Sequence, residues 1–140
     1  MPYRFAFESS HHVLCCTFQG RVTDDELRQF HRDAARMVER TDPQAAIVSF
    51  CRVTEFYVTS GTIRSLARSD PPMPDVTRPR FIVAPEDLTY GMARMYQIAG
   101  EVTRPELRVV RTREEAFLAL GLEDPNFQKI PEEILGTVGK

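Results

Sequence analysis

Two adjacent hydroxyls, Thr59 and Ser60, stand where an apolar, β-branched run gives way to a helical pattern in EFYVTSGTIRSLA, residues 55–67. A Ser or Thr at such a junction can cap the helix. Its oxygen accepts a hydrogen bond from a backbone N–H that the first turn leaves free. The same place can carry a phosphate, because free N–H groups and the positive end of the helix dipole both favour an anion. Thr59 and Ser60 are therefore candidate phospho-acceptors as well as candidate caps. Gly61 and Thr62 follow them as candidate contacts for an anionic ligand or a partner that reads the helix start.

A second group lies in TYGMARMYQ. Helical spacing puts Tyr90, Arg94 and Gln97 on one face, away from an expected apolar stripe of Leu88, Met92, Met95, Ala99 and Val102. Arg94 would be the anion-reading group, since a guanidinium grips carboxylates and phosphates in a fork. Gly91 costs helix stability and so points to close packing against something. Tyr90, Arg94 and Gln97 are candidate ligand or partner contacts, and their face is also a candidate homodimer contact.

The remaining reactive side chains form no recognisable constellation. Cys15 and Cys16 are adjacent on an expected strand and must point to opposite faces, so they cannot act together. With Cys51 they are read as small hydrophobes, buried or half-buried. His11 and His12 fall in an expected turn, and His31 borders the stripe of a helix. None has a partner at zinc-binding spacing, so neither metal nor cofactor is expected. A nucleophile elbow and a phosphate-cradling glycine loop are also absent from the sequence, which is read as non-enzymatic.

The elements that must position these residues are regular. The chain has 140 residues and a formal net charge of −2, enough for one domain and without the basic stripe of a nucleic-acid binder. No stretch reaches membrane-span length and the first residues lack a secretory layout, so a cytoplasmic protein is expected. YRFAFES alternates as a half-buried strand. VLCCTFQG is a second strand ending at Gly20, and the two form a hairpin. TDDE opens a helix with Thr23 and Glu26 as capping box and Asp24 and Asp25 in the first turn. Its stripe is Leu27, Phe30, Ala34, Met37 and Val38. AAIVSFC is a central strand and GTIRSLARS a short helix with Ile63, Leu66 and Ala67 inward. The four prolines of DPPMPDVTRP make a loop. RFIVAP and ELRVV are strands around the YGMAR helix. TREEAFLALGL closes with a second capping box, Thr112 with Glu115, and a stop at Gly121. Residues 1–122 form the domain. Residues 123–140 are a tail whose Phe127, Ile130, Ile134 and Leu135 suit packing on the domain or a partner.

This order, with FYVTSGTIRSLA after a central strand, FQGRVTDDEL early and REEAFLALGL at the end, resembles the STAS domain of sulfate transporters and anti-sigma factor antagonists. FIVAPEDLTYGMARMYQ with LRVVRTREEA is similar to a mostly uncharacterised bacterial group called SpoIIAA-like. The resemblance spans about residues 3–122. It implies a mixed α/β sheet of about five strands and four helices. It also implies a non-catalytic regulatory module that meets a kinase or an anti-sigma-like factor, with Thr59 at the phospho-acceptor position. Val58 stands where the family carries an Asp. The fold also resembles CRAL-TRIO lipid-binding domains. The alternative reading is thus a binder of a small amphipathic or anionic molecule, with an apolar pocket near the same helix start.

Overall fold

A computed structural model describes residues 2–131. The elements run β1 (Tyr3–Glu8), β2 (Val13–Thr23), α1 (Asp24–Thr41), β3 (Ala45–Tyr57), α2 (Ser60–Arg68), β4 (Arg80–Val83), α3 (Asp87–Ala99), β5 (Leu107–Val110), α4 (Arg113–Leu120) and β6 (Gln128–Lys129). One six-stranded mixed sheet has the order β5-β4-β3-β2-β1-β6. β2, β3, β4 and β5 are parallel neighbours, and β1 is antiparallel to β2 and to β6.

Three successive parallel crossovers in one direction put α1, α2 and α3 on the same face. Their apolar sides meet Phe5, Leu14, Cys16, Phe18 and Ile82 of the sheet. The opposite face is smaller, with Val13, Cys15, Ile47, Phe81 and Val83 covered by Ala116 of α4 and by Leu122. Cys15 and Cys16 thus serve different cores, as the strand period requires. Cys51 is exposed, contrary to expectation.

The main core is aromatic. Phe18 lies 5.0 Å from Phe30 edge-on and 5.0 Å from Phe50 in a stacked pair. Tyr3 belongs to this cluster, and its hydroxyl donates to the buried carboxylate of Asp33. Burial and that carboxylate push the Tyr3 hydroxyl pKa well up.

Local signals act as their chemistry dictates. The Thr23 N–H donates to Glu26 Oε1 at 2.8 Å, closing the capping box of α1. Glu115 N–H donates to Thr112 Oγ1 at 3.2 Å at the start of α4. Gly121, at φ 69°, ends that helix while Leu122 N–H reaches back to the Phe117 carbonyl at 2.9 Å. Glu8 accepts from the Ser10 and His11 N–H groups and faces the His11 ring, which fixes the β1–β2 turn.

Three elements depart from the sequence reading. β2 does not end at Gly20. It continues to Thr23 through a shift in register there, which Gly20 permits at φ 70°. The sheet gains a sixth strand from the chain beyond residue 122. β6 pairs with Ala6 and Phe7, Ile130 N–H donates to the Phe5 carbonyl at 2.9 Å, and Phe127 stacks on Phe117. Ile134 and Leu135 lie outside the described residues. Finally, α3 is rotated from its expected stripe. Thr89 and Ala93 are buried, while Leu88 is 60% and Ile98 59% exposed, and Val102 falls beyond the helix end. Apolar side chains at Leu88, Met92, Ala93, Met95 and Ile98 spread over more than one side of this helix, so periodicity did not single out its inner side, and small Ala93 sets the close approach to the sheet.

Candidate functional site

The end of β3 delivers Val58 into the core and leaves Thr59 exposed as the N-cap of α2. The Thr59 Oγ1 accepts the Thr62 N–H at 3.3 Å, so the capping role holds. A carboxylate from another helix completes the site. Asp24, first residue of α1, accepts the Thr59 N–H through Oδ1 at 2.8 Å and the Thr59 hydroxyl through Oδ2 at 3.0 Å. Arg28, one turn on, donates to Thr62 Oγ1 at 3.1 Å and to Asp25 at 2.9 Å. The two helix starts are thereby tied into one polar patch.

Partial burial pushes the Asp24 carboxyl pKa up, but donors outweigh it. The Thr59 N–H, the Thr59 and Thr62 hydroxyls and the charge of Arg28 hold it below its ordinary value. A carboxylate so stabilised is a weak base. It positions Thr59 rather than activating its oxygen as a nucleophile. Ser60 is half-buried, and Arg64 Nη2 lies 3.4 Å from its hydroxyl. The two candidate acceptors therefore sit in opposite fields, Thr59 against a carboxylate and Ser60 beside a guanidinium. Gly61 is exposed, whereas Thr62 is buried with its hydroxyl engaged.

Tyr90, Arg94 and Gln97 do not gather into one wall. Tyr90 packs against the main core under the Arg111 guanidinium, 3.9 Å from its ring centre. Arg94 is exposed and donates to Gln97 Oε1 at 2.5 Å, while Gln97 Nε2 donates to the Leu107 carbonyl at 2.8 Å. Arg94 is therefore a surface group rather than a reader of anions in a pocket.

A cavity of about 120 Å³ does lie between the sheet and helices α1, α2 and α3. Its lining is largely apolar, with Leu27, Phe30, Ile63, Leu66 and Ala93 among its walls. The polar groups on it are His31, Arg80, Thr89, Tyr96 and Arg104. Tyr96 and Arg104 were not among the candidates named from the sequence, because only the folded helix layer brings them to one cavity. Among the described residues no group of three His, Cys, Asp or Glu side chains could hold a metal ion, and no helix is long and apolar enough to cross a membrane.

The sequence matches no family model and no curated protein. Solved structures do match. The unphosphorylated form of the anti-sigma factor antagonist SpoIIAA aligns with 86% of this chain and 99% of its own, at 14% identity and a TM-score of 0.53. The phosphorylated form of the Bacillus cell fate determinant SpoIIAA covers 83% of this chain and 98% of its own, at 17% identity and a TM-score of 0.51. An uncharacterised protein from Shewanella loihica PV-4 covers 84% and 93%, at 12% identity and a TM-score of 0.51. At such identities the likeness speaks to architecture, and with the strand order and helix placement above, the chain has a SpoIIAA-like, STAS-type fold.

Proposed function

We propose that this protein is a non-catalytic, cytoplasmic regulatory module that binds a partner protein through the start of α2, under control of a phosphate on Ser60 or Thr59. The observation that carries the reading is the exposed Thr59 cap, hydrogen-bonded to Asp24 of another helix. A phosphate there acts on two helices at once. On Thr59 it would place about −2 charge against Asp24 and break the hydroxyl's donation. On Ser60 it would meet Arg64 and the free end of α2. Electrostatics favours Ser60 as the acceptor.

The adjoining surface suits a partner. Leu88, Gly91, Met95 and Ile98 share one face of α3, with Leu88 and Ile98 exposed. Arg64 of α2 reaches Met95 Sδ at 3.8 Å, so this apolar face borders the candidate phosphosite. An apolar patch next to a switchable charge is what a regulated interface needs. The SpoIIAA structures that share the fold are of an anti-sigma factor antagonist, one of them phosphorylated. A kinase and an anti-sigma-like factor are accordingly the classes of partner proposed here.

The test is intact mass of the protein taken from its own cells, with fragmentation across residues 53–64, under several growth conditions. A phosphate on Ser60 or Thr59 is the expected result. Its absence throughout, together with unchanged partner capture by Ser60→Ala and Thr59→Ala, would sink the switch.

A further inference from the structure

The cavity beneath α1, α2 and α3 has a charge character that its apolar walls do not explain. Arg80 and Arg104 both border it and both are buried. Neither forms an ion pair with a carboxylate within 4.0 Å among the described residues. Arg80 donates to the carbonyls of Met73, Asp75 and Arg78, and Arg104 to those of Ala67, Leu66 and Ser69. Their hydrogen bonds are made to carbonyls, and Asp75 and Glu106 act on Arg80 only from beyond ion-pair distance, so two guanidinium charges without a direct counter-ion border a poorly solvated place.

The other polar groups are neutral there. His31 Nε2 lies 3.1 Å from the Tyr96 hydroxyl, and the Arg104 guanidinium stands 4.9 Å from the Tyr96 ring centre. Burial, with Arg104 adding to it, pushes the His31 pKa down to about 4. A neutral imidazole has two tautomers. With Nε2 protonated it donates to the Tyr96 oxygen and frees the Tyr96 O–H to donate into the cavity.

We infer that this cavity binds a small monocarboxylate, its apolar body against Leu27, Ile63, Leu66 and Ala93 and its carboxylate at Tyr96 beside Arg104. The volume of about 120 Å³ is of the order that holds a benzene-sized group in an apolar cavity, so a short acyl or aryl acid fits and a long lipid tail does not. The charge pattern selects an acid over an amine of the same body. This inference does not rest on the partner surface at the start of α2. It gives the walls contributed by α1 and α2 a ligand of their own.

The experiment is methyl NMR of the whole chain titrated with hexanoate, 1-hexanol and hexylammonium. Saturable shifts confined to Leu27, Ile63, Leu66 and Ala93 are expected with hexanoate, at least about tenfold tighter than with either control. Ala93→Leu, which fills the cavity, should abolish them while thermal unfolding shows a folded protein. Should that variant not fold, Tyr96→Phe reads the same site. It should weaken hexanoate by about tenfold and leave hexanol unchanged. No saturable shift up to tens of millimolar would overturn the site. Hexanol or hexylammonium binding as tightly as hexanoate would overturn its assignment to an anion.

Discussion

Asp24 and Thr59 stand at the first turns of two different helices and share a carboxylate-to-cap clasp, with both Asp24 oxygens used, at 2.8 and 3.0 Å. The clasp fixes how α1 and α2 sit side by side over the sheet. It also decides what a charge at either helix start would do.

Removing the carboxylate is the direct probe. Asp24→Ala should cost about 1–3 kcal/mol, since a charge-assisted hydrogen bond and its partner's satisfaction go together. Thr59→Ala should cost about 1 kcal/mol through the lost cap. In a double-mutant cycle by urea unfolding the two should couple by about 1 kcal/mol. Simple additivity would show that the clasp contributes nothing to stability.

Charge placed at the two hydroxyls should separate them. Ser60→Glu puts a carboxylate in the first turn near Arg64 and should change stability by no more than about 0.5 kcal/mol. Thr59→Glu loses the cap and faces Asp24, and should cost at least about 1 kcal/mol. Adding Asp24→Asn should recover part of that loss. Thermal unfolding of the four proteins gives the comparison, and an equal cost for both glutamates would refute the opposite-field picture.

Acid should weaken the fold through His31. Its folded pKa is about 4, below the 6.5 of the free side chain. Between those values the unfolded chain binds the proton that the folded chain refuses, so stability drops as pH falls from 6.5 toward 4. The loss attributable to this group is at most about 3 kcal/mol. Urea midpoints across that range should show a shallower slope in His31→Gln than in the parent. Parallel slopes would mean that the imidazole protonates freely in the folded state.

Thiol labelling gives a quick check on the two cores. Cys51 is exposed, whereas burial raises the Cys15 pKa to about 11 and lifts that of Cys16 well above its ordinary value. Under native conditions iodoacetamide should modify Cys51 alone. Rapid labelling of Cys16 would show that the α1–α3 face opens.

The Pro-rich segment before β4 offers another. One buried guanidinium, Arg80, gathers the carbonyls of Met73, Asp75 and Arg78. Arg80→Ala should free that segment, seen as faster amide exchange and protease cutting near Arg78, with a destabilisation of about 2–3 kcal/mol. An unchanged exchange pattern would show that the prolines alone hold it.

Much of the architecture was legible because the signals were local. The capping box at Thr23, the hydroxyl cap at Thr112 (where Glu115 does not close the expected box back to the Thr112 N–H), the stop at Gly121, and the alternation from Tyr3 to Phe7 each report on a few neighbouring residues. The inner face of α3 was not legible, since Leu88, Met92, Ala93, Met95 and Ile98 spread apolar surface over more than one side of the helix. Nor was β6, two polar residues whose pairing depends on the free edge of β1. The Thr59 cap could be read from its own stretch. Asp24 could not be assigned to it, because its position before Leu27 already had a local explanation as a helix-start acid. Tyr96 of α3 meets His31 of α1, with Arg104 over the Tyr96 ring, only in the folded helix layer, which no spacing along the chain encodes.

The placement of β6 has a consequence for biosynthesis. Ala6 and Phe7 emerge from the ribosome long before their partners Lys129 and Gln128. Until then the outer side of β1 keeps bare amides and carbonyls, an inviting template for a neighbouring nascent chain. Synthesis of β6 therefore does for the first strand what a chaperone would otherwise have to do, and translation that halts after α4 leaves a product with an adhesive rim.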